Sequence, residues 1–187
     1  MCKNPVFGLF SVESKVHVEI LTREETASSP RHILDQINQW MAQYQIGEND
    51  EFWLVIDVDR WKDAKLSRIA QECVQKSIRL GISNPAIELW FLLHLTAPDF
   101  DAKTRQAFLE NGKRSGRTRL DRAIIEIAGS YNKSNLKADD YLPYVTEAIQ
   151  RARLLDVNPE DRWPQQLGTR VYLLAQSIID SASYGHK

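Results

Sequence analysis

Val16, Val18 and Ile20 alternate with His17 and Glu19, a period of two that predicts a half-buried strand over 16–21. Ser28-Ser29-Pro30 then offers an N-cap and a first-turn proline, and Ile33, Leu34, Ile37, Trp40 and Met41 recur at helical spacing, so a helix is predicted from about Pro30 to Tyr44. Phe52-Trp53-Leu54-Val55-Ile56 is a continuous apolar run, too short for a buried helix and rich in β formers. It predicts a central parallel strand, over 52–57, covered on both faces. Leu66, Ile69, Ala70, Cys73 and Val74 line a second amphipathic helix, and a further strand follows near 79–83. Strands alternating with helices in this way predict a layered, mainly parallel α/β sheet.

Beyond Asn84-Pro85 the periodicity is helical, with Pro85 suited to a first turn and Ile87, Leu89, Trp90, Phe91 and Leu93 apolar nearly all round. Further helices are expected at about 102–110, 117–130, 141–155 and 167–179. The chain therefore divides into an α/β region over 1–100 and a helical region over 101–187, two domains or one continuous one. The polar stretch from Asp99 to Arg117 is the best boundary. No internal repeat or low-complexity segment is present.

With 24 Lys and Arg against 25 Asp and Glu, the formal charge of −1 gives no global attraction to a polyanion, so any such site must be a local patch. The two cysteines, Cys2 and Cys73, form no metal-ligand cluster and point to a reducing, cytoplasmic setting. The longest apolar stretch, around Trp90-Phe91-Leu92-Leu93, stops at His94, short of the roughly 20 residues of a membrane span. No signal peptide or membrane association is expected.

Asp57 and Asp59 carry the sharpest chemistry. They emerge at the carboxyl end of the apolar strand, where open α/β sheets bind ligands, and residues two apart share a face. Such a pair can hold Mg²⁺, which takes one or two carboxylates and fills its other positions with water and phosphate oxygen. The plainer alternative has Asp57 cap the next helix or begin a turn, and pairs Asp59 with Arg60 or Lys62 in solvent. Glu88 and His94 interrupt an apolar helix and must be paired, since buried charge costs several kcal/mol otherwise. Glu88 aligns with Asn84 one turn back; structural alternatives are a pair with Arg79, or the helix N-terminus, and for His94 the helix C-terminus.

Lys103, Arg105, Lys113, Arg114, Arg117, Arg119 and Arg122 form a local basic excess suited to a phosphate backbone, or simply a solvated loop. Asn111-Gly112-Lys113-Arg114-Ser115-Gly116 lacks the spacing of a P-loop. Tyr131-Asn132-Lys133-Ser134 and Gly168-Thr169-Arg170 each set a cation beside a hydroxyl, as phosphate sites and ordinary loops both do. Trp61 and Trp163, each beside an Asp-Arg pair, are not assigned to core or site.

Taken in order, the Phe52 to Asp59 segment and Ile82-Ser83-Asn84-Pro85-Ala86-Ile87-Glu88-Leu89-Trp90-Phe91-Leu92-Leu93-His94 resemble the strand-DxD and SNP-x-x-ELW-x-LLH segments of the RloB family of bacterial phage-defence proteins. Looser likeness continues through Tyr131-Asn132-Lys133-Ser134, Ala148 to Ala152 and Gly168 to Tyr172. The family is similar to Toprim domains, which gather Mg²⁺ on a glutamate and a DxD to cut or rejoin nucleic acid. The resemblance implies a Toprim-like sheet and a nuclease of RNA or DNA using Mg²⁺ or Mn²⁺. Asp57 and Asp59 match its metal ligands. Glu88 and His94 are carried over as catalytic, Asn84 as site-supporting, and Lys113, Arg114, Arg117, Arg119 and Lys133 are expected to meet the nucleic acid.

The family's opening strand, with its glutamate, has no match before Val16, where Pro5 and Gly8 break any regular element. A coding segment upstream that supplies it is expected, of roughly 20–30 residues, as half a βαβ unit needs. Without that strand its neighbour has an open edge, which invites homo-oligomers. The competing expectation is a non-catalytic subunit that docks a partner ATPase of the same defence system.

Overall fold

A computed structural model describes residues 16–21, 30–58 and 63–183. The elements run α1 (Pro30–Gln43), β1 (Phe52–Asp57), α2 (Asp63–Gln75), β2 (Ile78–Asn84), α3 (Glu88–Leu95), α4 (Ala102–Glu110), α5 (Arg119–Ala128), α6 (Val145–Leu155), β3 (Gly168–Thr169) and α7 (Val171–Ser183). Short 3-10 turns at Ala138–Asp140 and Leu142–Tyr144 lead into α6. The fold is thus the expected α/β arrangement followed by helices.

The sheet is mixed rather than mainly parallel. β1 and β2 pair in parallel from Phe52↔Ile78 to Asp57↔Ser83, whereas β3 adds only Thr169 and Gly168, antiparallel, to the end of β2. The central strand is β2, and among the described residues β1 stands at the edge of the order β1-β2-β3. The apolar run over 52–56 reported covered faces, and both faces are covered. Hydrogen-bonded edges leave no trace in a hydrophobic pattern, which is why it misplaced the strand within the sheet.

The strand expected over 16–21 is not formed. Its alternation survives as burial, with Val16, Val18 and Ile20 half-buried and His17 and Glu19 exposed, and Leu21 packs against the core. Period-two burial fixes which side faces inward; a strand also needs a ladder partner.

Two cores lie on opposite faces of the sheet. Leu54, Ile56, Ile78 and Ile82 face Leu34 and Ile37 of α1 and Leu66, Ile69 and Cys73 of α2. Trp163, left open by the sequence, is buried in this core. On the other face Val55 meets the larger helical core, built on Leu89–Leu93 of α3 with Leu120, Ile124, Ile149, Leu155 and Val171. Gly81 permits this layering: a Cβ there would lie 3.3 Å from Val55 Cγ2 and 3.7 Å from the Cα of Val171, so α7 starts almost on the backbone of β2. Among the described residues no helix is long and apolar enough to cross a membrane.

Candidate functional site

β1 ends at Asp57, and its carboxylate does cap a helix, though not the next one. Oδ1 accepts the backbone N–H of Ile87 at 2.8 Å, at the start of α3, where the first N–H groups have no intrahelical acceptor and the helix dipole favours negative charge. Asp59 lies outside the described residues. Asp57 is therefore placed beside Glu88, the first residue of α3.

Glu88 is 5% exposed, and Lys133 Nζ donates to its Oε1 at 2.5 Å. Arg79, the partner weighed from the sequence, pairs instead with Glu51 at 2.9 Å. Lys133 belongs to the loop after α5. That same loop buries Tyr131, whose ring lies 6.4 Å from Phe91 of α3. The Tyr131 hydroxyl is the one buried side-chain oxygen or nitrogen among the described residues without a hydrogen-bond partner. Burial, reinforced by the charges of Glu88, Asp121 and Asp57, raises its pKa far above the ordinary phenol value, so the hydroxyl keeps its proton.

The basic stretch is a built turn rather than a loose loop. Arg114 and Arg117 exchange backbone hydrogen bonds of 2.8 and 3.1 Å around Ser115 (φ 52°) and Gly116 (φ 77°), a two-residue hairpin turn with both central residues left-handed. Lys113 and Arg114 are exposed, with no ion-pair partner among the described residues. Arg117 Nη1 donates to the Tyr131 carbonyl at 3.4 Å, tying this turn to the loop that carries Lys133. Arg119 is more engaged: it pairs with Glu126 at 3.5 Å and stacks over Phe108 with its guanidinium carbon 5.1 Å from the ring centre. Asp57 through the Ile87 N–H, and Glu88 through Lys133, are thus linked along the chain and by hydrogen bonds to the loop that carries Tyr131, and from its carbonyl to the Arg114–Arg117 turn.

His94 and Asn84 are placed elsewhere. His94 lies six residues along α3 from Glu88, about 9 Å at the helical rise. Its Nδ1–H donates to the Trp90 carbonyl at 2.9 Å, and burial lowers its pKa to about 4. Arg151 caps the same helix end by donating to the Leu93 and His94 carbonyls at 2.8 and 3.1 Å. Asn84 Nδ2 donates to the Pro164 carbonyl at 2.9 Å and so joins β2 to the segment before β3. Arg170, one of the weaker phosphate candidates, is buried against Asp156, which also accepts from the Tyr172 hydroxyl at 3.1 Å. The neighbouring Thr169 hydroxyl is 2.7 Å from that of Ser83. That segment is structural.

Tyr131 escaped sequence reasoning as a buried residue because Asn132, Lys133 and Ser134 give its surroundings a solvated look. Asp121 was equally hidden, as the capping-box partner of Thr118 at the start of α5. Among the described residues no three Asp, Glu, His or Cys side chains gather to hold a metal. Asp57 and Glu88 supply two carboxylates near the start of α3, and the buried Tyr131 hydroxyl is a third oxygen, donor chemistry of the kind Mg²⁺ accepts when water completes its shell.

A family model described as RloB-like protein matches residues 7–178. No curated protein and no solved structure matches the chain. The matched span contains both the β1 end that carries Asp57 and the whole of α3, and it covers most of the sequence: the chain belongs to the RloB-like family.

Proposed function

We propose that this protein is a Toprim-like, divalent-cation-dependent nuclease of phage defence that acts on RNA or DNA. The supporting observation is the contact series from Asp57, at the carboxyl end of a parallel strand, through Glu88 and Lys133 to the exposed Arg114 turn. Acidic groups stand at one end of this series, and exposed cations without an ion-pair partner among the described residues at the other, as a phosphodiester with a metal-bound scissile group requires. Asp57, with Asp59, would hold Mg²⁺ or Mn²⁺; when bound, the ion supplies charge neutralisation at phosphate and an acidified water. The chain's own part is to fix Asp57 against the α3 N-terminus, to hold the backbone with Lys113, Arg114 and Arg117, and to keep the Tyr131 proton in place.

The assay is cleavage of tRNA, single-stranded RNA and plasmid in Mg²⁺ or Mn²⁺. Asp57→Asn and Asp59→Asn should each reduce cleavage by on the order of 100-fold, the scale of losing one charge-stabilising group. Equal cleavage by wild type and both variants rejects the reading. The second reading, a non-catalytic subunit docking a partner ATPase, draws on the engagement of Glu88 by Lys133 and of Asp57 by the Ile87 N–H. Co-purification with an ATPase encoded beside it, without any metal binding by calorimetry, would favour the subunit.

A further inference from the structure

We propose that Lys133 is an exchangeable internal counter-ion: its ammonium holds the place of a divalent cation at Glu88, and yields it when the ion binds between Glu88, Asp57 and the Tyr131 hydroxyl. The identity of the ion as Mg²⁺ rests on the nuclease reading; the exchange itself rests on the contacts around Glu88.

The buried carboxylates of this protein are neutralised in two different ways. The Asp156 side chain is 3% exposed and its partner Arg170 only 9%, and Arg170 also donates to the Asn158 and Asp161 carbonyls. That pair is locked on every side. Glu88 is equally buried, its side chain 6% exposed, yet its partner Lys133 is 53% exposed and makes no other hydrogen bond among the described residues. A carboxylate taken out of water needs a positive neighbour, but nothing requires that neighbour to be the lysine. The ammonium is a strongly hydrated point charge on a flexible stem, and from a half-exposed position it returns to water with little desolvation to reverse.

The Tyr131 hydroxyl is the independent sign of a ligand. Tyr131 is 6% exposed, and a buried hydroxyl without a partner is destabilising in a way that a phenylalanine would avoid. The hydroxyl lies within the fields of Glu88 and Asp57, two residues from Lys133. Waters bound to a divalent ion are strong hydrogen-bond donors, and the phenol oxygen can accept from one, so the cation brings Tyr131 a partner when it binds. Lys133 covers the position until then.

The test follows Lys133 itself in the wild-type protein. An amine-acylating reagent is applied across a Mg²⁺ titration and labelling of each lysine is read by peptide mass spectrometry. Lys133 labelling should rise several-fold and saturate, while Lys103 and Lys113 stay constant; in Glu88→Gln, Lys133 should label strongly from the outset and ignore Mg²⁺. Constant or falling Lys133 labelling in the wild type overturns the proposal. As a second measurement, Lys133→Met should melt lower than wild type without cation and gain more from Mg²⁺; an equal gain also overturns it. Should Lys133→Met fail to fold, the labelling decides alone. Cleavage that depends on Asp57 with an unresponsive Lys133 rejects the counter-ion and keeps the nuclease. A Mg²⁺-responsive Lys133 with no cleavage of any nucleic acid does the reverse.

Discussion

At 5% exposure His94 satisfies Nδ1–H with the Trp90 carbonyl one turn back, and its ring meets Trp90 and Tyr141 edge to face, with centroids 4.7 and 5.7 Å away. Burial, with the nearby Arg151 charge, outweighs the Trp90 carbonyl hydrogen bond and keeps the ring neutral, lowering its pKa from 6.5 to about 4. The folded state therefore refuses a proton that the unfolded chain accepts. Stability from His94 is complete above pH 6.5 and is lost as the pH falls toward 4, by on the order of 3 kcal/mol over that window. Denaturant titrations at neutral pH and near the lower pKa should show that extra loss in the wild type and not in His94→Gln; matching losses would remove His94 as its cause. Glu88, on the same helix, has the opposite solution, a charged partner brought from a distant loop. The sequence showed that both residues needed partners but could not name the one for Glu88, since Lys133 is 45 positions away.

At the scale of elements, hydrophobic period and cap chemistry placed most helices closely: α1, α4 and α6 fall within a few residues of expectation. β3 was missed inside a predicted helix over 167–179, because two residues cannot show a period. The Arg114–Arg117 turn was equally invisible, read only as charge. Its geometry makes a prediction. Gly116 sits at φ 77°, where a β-branched side chain clashes with its own backbone, so Gly116→Val should cost about 1–2 kcal/mol. Thermal melting reads that cost, and binding of single-stranded RNA should weaken although no charge has changed. Full RNA affinity in a destabilised Gly116→Val would mean that the turn only spaces α4 from α5.

Across the whole molecule, a charge of −1 coexists with an exposed Lys113 and Arg114 that no acidic group among the described residues pairs with. Binding to a polyanion should then depend on few contacts and have a shallow salt dependence. Each lost phosphate contact lowers the slope of log affinity against log salt by about 0.7 on single strands. Lys113→Ala and Arg114→Ala should each do so, measured by fluorescence anisotropy from low to physiological salt. Arg119→Ala should change the slope less and the stability more, because its guanidinium is committed to Glu126 and Phe108. A slope unchanged in all three variants would detach this turn from nucleic acid.

Local order was legible along the chain: which segments are helices, that Phe52 to Ile56 is covered on both faces, that Asp57 ends a strand, and that Glu88 and His94 are buried. Those are consequences of side-chain period and of the few kcal/mol that separate an apolar from a polar position, and neighbours along the chain suffice to express them. Tertiary structure alone decided that β2 rather than β1 is central, that Val16 to Leu21 packs without a ladder, and that Lys133, Tyr131 and Arg117 gather at the start of α3. Ladder edges and long-range ion pairs depend on which distant segment arrives. A backbone donor or a lysine reads the same in sequence whether it meets water, a strand or a buried carboxylate.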